Sequence, residues 1–228
     1  HALAATAAEA PEGTAGRLRA AVVSFQVKSA DPDANLAAIE GAVRAHPGVQ
    51  LFVFPELSVS GWPLKVDGER DYAGIAEPVP GGPSTVRVAD LARRHRTVLC
   101  AGVVEAYEGR FFFTHFLCGP EGYLGKQRML FPTRGLMSYG TLAGGRSLRV
   151  FDLFGHRCVI LAAADWTYPE GPYLAGLEDA ALILATSDQC DLANADTLRN
   201  VAGMRMFEYK ALILAAFGGP VPADPELP

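Results

Sequence analysis

Three polar clusters follow directly on apolar runs, and each sets groups able to move protons or electron pairs at the end of a buried strand. Glu56 comes straight after Val49–Phe54 (VQLFVF) and Pro55. Asp165 stands in Ala163-Ala164-Asp165-Trp166-Thr167-Tyr168-Pro169-Glu170, after the run CVIL. Gln189 and Cys190 close Thr186-Ser187-Asp188-Gln189-Cys190, after ALILA. In open α/β sheets the ligand site lies past the carboxyl ends of the strands. A carboxyl withdrawn from water there has a raised pKa, which makes Glu56 a candidate general base; it reads equally as a turn cap or an ion-pair partner. Asp165 would complete an acid–base pair with Glu56, or cap the turn after its own strand through the N–H groups of Thr167 or Tyr168. Cys190 is a candidate nucleophile or an ordinary loop thiol, with no adjacent histidine to activate it. Trp62 and Trp166 flank these motifs, as pocket walls or as core aromatics.

His46, His95, His115 and His156 show no metal-ligand spacing, so no metal is expected, and nothing points to a nucleotide, flavin or other cofactor. The four cysteines form no CxxC pair, and three lie in apolar runs. They read as free thiols in a reducing compartment, hence a cytoplasmic location. Arg205 and Glu208, three apart on one helix face, read as an ion pair. Arg93, Arg94 and Arg96 read as a solvated helix end.

The elements that must position these groups alternate. Half of the 228 residues (50%) are apolar, which excludes disorder, and 20 Lys+Arg against 25 Asp+Glu give a net charge of −5, which excludes nucleic-acid binding through bulk charge. With 24 Gly and 16 Pro, many short strands and turns are favoured over a helical bundle. Strands are expected at Leu18–Val27 and Val49–Phe54, as three strands over Thr97–Leu130, and at Ser147–Leu153, Arg157–Ala162, Ala181–Ala185 and Ala211–Phe217. Helices are expected at Asp31–Arg44, over TVRVADLARRH with Ser84 as N-cap, briefly after Pro169, and at Ala193–Tyr209. Residues 18–219 read as one α/β domain, 1–17 as an extension that makes a poor signal peptide, and 220–228 as a tail. No apolar run reaches bilayer length.

Several motifs in order resemble the carbon–nitrogen hydrolases: nitrilases, aliphatic amidases and carbamoylases. FVFPELSVSGW is similar to their strand with the catalytic glutamate, FFFTHFLCGPEGYLGKQR to their hairpin YNSxxxxxPDGxxxxxYR, and DWTYPE to the D-x-x-[FY]-P-E after the nucleophile. ALILATS and RMFEYKALILAAFGG resemble their later strands and R-A-x-E-N helix. The resemblance covers about Leu18 to Gly219. It implies a nitrilase-like four-layer α-β-β-α sandwich with mixed sheets, a homodimer or higher homo-oligomer, and a Glu–Lys–Cys triad acting on a nitrile or amide carbon. The family continues past the strand ending in FGG with further strands. Here PVPADPELP follows, and where those strands are absent a partner subunit is expected to cover the sheet edge.

Glu56 matches the family glutamate, but the other two triad positions do not match. The cysteine falls on Ala163 and the lysine on Met129. Lys126 is the alternative lysine, three residues from Met129 and so on the opposite face of a strand. A further family glutamate falls near Ser138, and the hairpin Tyr-Asn is Phe112-Phe113. The expected pocket therefore comprises Glu56, Ala163, Met129 or Lys126, and Asp165, with Trp62, Phe113, Ser138, Trp166, Gln189 and Cys190 as ligand contacts. The leading expectation is a non-hydrolysing homologue that binds a small molecule or a partner chain. The alternatives are a hydrolase captured as a Cys-to-Ala variant with Lys126 as its lysine, and an enzyme using Glu56 with Asp165, or Cys190.

Overall fold

Leu51 and Val53 point to one side of their strand, and Phe52 and Phe54 to the other. All four are buried, because this strand lies between two apolar layers. The computed structural model describes residues 17–66, 69–133, 142–187 and 195–218. The first sheet has the order β1-β2-β5-β6-β7, built from Ala20–Val22, Leu51–Val53, Val98–Tyr107, Arg110–Gly119 and Gly122–Arg128. Its first three strands are parallel, and the last three form an antiparallel meander. The second sheet, β11-β10-β9-β8, contains Leu212–Phe217, Leu182–Ser187, His156–Ala162 and Val150–Leu153. It is parallel except for the β8–β9 hairpin. A small hairpin, β3 (Lys65–Val66) with β4 (Glu69–Arg70), stands apart.

The two sheets pack face to face through Leu51, Val53, Cys100 and Leu117 against Cys158, Ile160, Leu184 and Leu214. Helices α1 (Pro32–Ala45) and α2 (Pro83–His95) cover the outer face of the first sheet through Leu36, Ile39, Val43, Val88 and Leu91. Helix α3 (Ala164–Thr167), α4 (Glu170–Leu177) and α5 (Ala195–Tyr209) cover the outer face of the second, where Trp166 and Ala175 meet Val159, Leu161 and Ile183. The layers therefore run α-β-β-α, as expected.

Most element boundaries agree with the sequence reading to within a few residues, with two exceptions. The first strand pairs only over Ala20–Val22, because its partner β2 is itself three residues long. Ser84 does not cap α2. Gly82 is the N-cap, Pro83 occupies the first turn, and the Ser84 N–H donates to the Glu77 carboxylate (2.9 Å), which supplies the negative charge this helix end favours. Asp31 does cap α1, accepting from Ala34 N at 3.0 Å. Arg205 and Glu208 form the expected ion pair at 2.8 Å. Among the described residues, no helix is long and apolar enough to cross a membrane.

Candidate active site

The stretch after β2 is laid along β5 by its own hydroxyls. Ser58 Oγ accepts from Gly102 N (3.0 Å), Ser60 Oγ from Val104 N (3.1 Å), and Val59 N donates to Gly102 O (2.9 Å). Alternate serines in LSVS thus replace a strand's ladder and hold Glu56, 2% exposed, at the sheet's carboxyl end. Gly102 is required there. A Cβ would lie 2.7 Å from Leu57 N and 2.9 Å from His115 Nε2.

Ala163 occupies the turn between β9 and α3 with φ 43° and ψ −112°, a conformation that costs an L-residue energy and that marks sharp strand-to-helix turns presenting a side chain. Two hydrogen bonds bring it beside Glu56. Ala163 N donates to Thr186 O (2.7 Å), and Glu56 N donates to Ser187 O (3.2 Å), so adjacent carbonyls at the end of β10 anchor both positions. The sequence reading placed these two segments together, and the fold does so.

Met129 belongs to the same place. Its N–H donates to Phe113 O (2.8 Å), and its side chain is buried with Leu57, Val104, Phe113, Leu142 and Ala162, against Ala163 and Trp62. Phe113 meets Trp62 edge-on with ring centroids 5.1 Å apart, and Tyr72 lies 6.1 Å from Phe113. These contacts make an apolar, aromatic cluster that packs against Ala163. Tyr72 and Leu142 were not anticipated as members of it.

Three expectations need correction. Lys126 is not an alternative lysine beside Ala163. Its ammonium pairs with Glu105 and donates to Val79 O, on the outer face of the first sheet, opposite Met129. Trp166 is not part of the cluster around Met129. Helix α3 begins at Ala164 and turns Trp166, 1% exposed, onto the outer face of the second sheet, where it meets Phe217 edge-on at 5.9 Å. Asp165 does not bond to Thr167 or Tyr168. Its carboxylate accepts from Leu130 N (2.9 and 3.0 Å), Phe131 N (2.7 Å) and Ala162 N (3.4 Å), pinning the segment after β7 to the end of β9. That is a structural duty rather than acid–base work. Ser138, Gln189 and Cys190 lie outside the described residues.

Burial raises the Asp165 carboxyl to about 6, although its three backbone N–H bonds pull the other way. Between roughly pH 4 and 6 the folded chain therefore holds a proton that the unfolded chain has released, and this group's contribution to stability falls as pH rises through that window. A shift of about two units corresponds to something on the order of 3 kcal/mol. Urea unfolding of wild type and Asp165→Asn at pH 4.5 and 7 should show the substitution costing less at pH 7. An equal cost at both pH values would remove the raised carboxyl.

His115, fully buried, faces Thr186 Oγ1 through Nε2 at 2.9 Å, and Nδ1 has no partner among the described residues. Desolvation lowers its pKa to about 3, so it is neutral and ties the two sheets together. The sequence offered no sign of this bond, which joins residues 71 apart. No cluster of metal-ligating side chains occurs among the described residues.

Known proteins share this fold. Among curated relatives, a nitrilase of Pyrococcus abyssi is 26% identical over 171 residues, 73% of this chain and 63% of that protein. A bifunctional nitrilase/nitrile hydratase of Lupinus angustifolius is 32% identical over 152 residues, 59% of this chain and 43% of that protein. The chain thus spans less than two-thirds of the length of either. A CN-hydrolase superfamily protein of Xanthomonas campestris superposes with a TM-score of 0.77 at 19% identity, covering 91% of this chain and 78% of that one. A cysteine-to-alanine mutant of the Nesterenkonia AN1 amidase superposes at 0.74 with 21% identity, covering 91% and 80%. At these identities the structural likenesses establish the fold. Residues 19–215 match the carbon-nitrogen hydrolase family model, and the chain belongs to that family.

Proposed function

We propose that this chain is a carbon–nitrogen hydrolase homologue that does not hydrolyse amides or nitriles and binds a small molecule or a partner segment beside Ala163. The observation that carries this reading is Ala163. It occupies the strained turn between β9 and α3, beside Glu56, with a methyl group that has no electron pair to offer a carbonyl or nitrile carbon. Met129 supports it, because a buried thioether cannot place positive charge against an oxyanion. Loss of the nucleophile through a single exchange would leave the lysine position and the hairpin Tyr-Asn pair in place. Here Met129 and Phe112-Phe113 depart together with Ala163.

The test is ammonia release by the purified chain from acetamide, an aliphatic nitrile and an arylacetonitrile. Release no faster than that of Glu56→Gln, and at the buffer background, is expected. Turnover abolished by Glu56→Gln would return the chain to the working hydrolases.

A further inference from the structure

A cleft of about 660 Å³ lies at the open edge of β7, and Arg110, Arg128, Arg146 and Arg149 line it. Its chemistry is at odds with the rest of the molecule. The chain has more acidic than basic residues, and most of the arginines described elsewhere pair with carboxylates, such as Arg87 with Asp33, Arg94 with Glu40 and Asp90, Arg157 with Glu178 and Arg199 with Asp196. Arg110, Arg146 and Arg149 have no carboxylate partner among the described residues. Glu108, also on the wall, lies near the Tyr107 hydroxyl and raises its pKa. The three guanidiniums with Glu108 sum to +2, and Lys126 and Arg128 with Glu105 add +1.

This concentration of charge is built on fixed supports. Arg128 is held to Glu105 through Nε (2.9 Å) and Nη2 (2.7 Å), and its guanidinium lies over the Phe112 ring at 3.9 Å and the Tyr107 ring at 4.5 Å. Gln127, 3% exposed, clamps the opposite wall. Its amide nitrogen donates to Arg128 O (2.7 Å) and Ser147 O (3.0 Å), and its oxygen accepts from Arg149 N (2.7 Å). Gly145 N donates to Met129 O at 2.7 Å, and a Cβ at Gly145 would lie 3.0 Å from Arg128 O, so the loop lies tight against the strand end.

We infer that this cleft binds a small molecule through a diphosphate group. Guanidinium forks match phosphoryl oxygens two at a time, and a diphosphate supplies the negative charge that the cleft lacks. The site lies at the edge of β7 and does not depend on what the residues around Ala163 do.

Isothermal titration of the whole chain with sodium pyrophosphate and with ADP, at constant ionic strength, tests it. Saturable binding of pyrophosphate alone would mean that the inorganic group suffices. Tighter binding of ADP would mean that an organic diphosphate is the better match. Arg146→Ala with Arg149→Ala, both exposed positions, should weaken either by tenfold or more, and Arg44→Ala, on α1, should leave it unchanged. No saturable heat, equal affinity for citrate, or the same loss from Arg44→Ala would overturn the assignment.

Discussion

Ala163→Cys is expected to yield a protein that takes up one equivalent of iodoacetamide at position 163 but still turns over neither amides nor nitriles. The backbone at 163 already holds φ 43° and ψ −112°, so the new sulfur would be presented by a turn that needs no rearrangement. Its surroundings are the obstacle. Ala163 packs against an apolar cluster that includes Leu57, Phe113, Met129 and Leu142. Apolar surroundings raise a thiol's pKa, and each unit removes about nine-tenths of the thiolate at neutral pH. The missing donor at 129 costs a further 10²–10³ or so in turnover, because nothing at that position meets the charge that develops on the substrate. Restoration therefore requires Met129→Lys as well. The double variant should exceed Ala163→Cys by roughly a hundredfold or more in ammonia release, and its alkylation rate should climb at lower pH than that of the single variant. If Ala163→Cys alone worked as fast as the pair, Met129 would not be the deficit, and the chain would be one substitution from a hydrolase.

The parts of this site that sequence made legible are those set by local pattern. VQLFVF, CVIL and ALILA are buried on both faces, so their apolar runs announce strands, and the residues just past their ends are Glu56, Ala163 and Thr186–Ser187, which the fold does assemble. The opposite facing of Lys126 and Met129 follows from strand alternation alone. What sequence misjudged was decided by distant partners. Asp165 binds backbone 34 and 35 residues away, so a local turn was the wrong place to look. Trp166 faces away from the residues around Met129 because α3 starts at Ala164 without a capping side chain to announce it. Tyr72 joins through aromatic contacts to Phe111 and Phe113, from a segment with neither period nor motif.

Glu105→Ala should destabilise the fold by about 3–5 kcal/mol, as much as truncating a large buried apolar side chain there. Glu105 is completely buried, accepts from Thr114 Oγ1 (2.7 Å), and is the carboxylate for both Lys126 and Arg128. Removing it leaves two cations, each only 22% exposed, without their counter-charge. Burial pushes the Glu105 carboxyl up, but the hydrogen bonds from Arg128, Lys126 and Thr114 outweigh it, and the net shift is downward. The sign is therefore opposite to that of Asp165. The stabilisation is complete above the ordinary glutamate range and is lost as pH falls through the lower folded-state value. Urea midpoints at pH 7 should show the loss in Glu105→Ala and a smaller one in Glu105→Gln, which keeps an acceptor but no charge. The decisive comparison is a triple variant with Leu at 105 and 126 and Met at 128. If the cost of Glu105→Ala comes from stranded cations, removing all three charges should recover most of it, because a buried ion pair is seldom worth more than well-packed apolar side chains. A triple variant as unstable as Glu105→Ala would show instead that the loss is one of packing between β5 and β7.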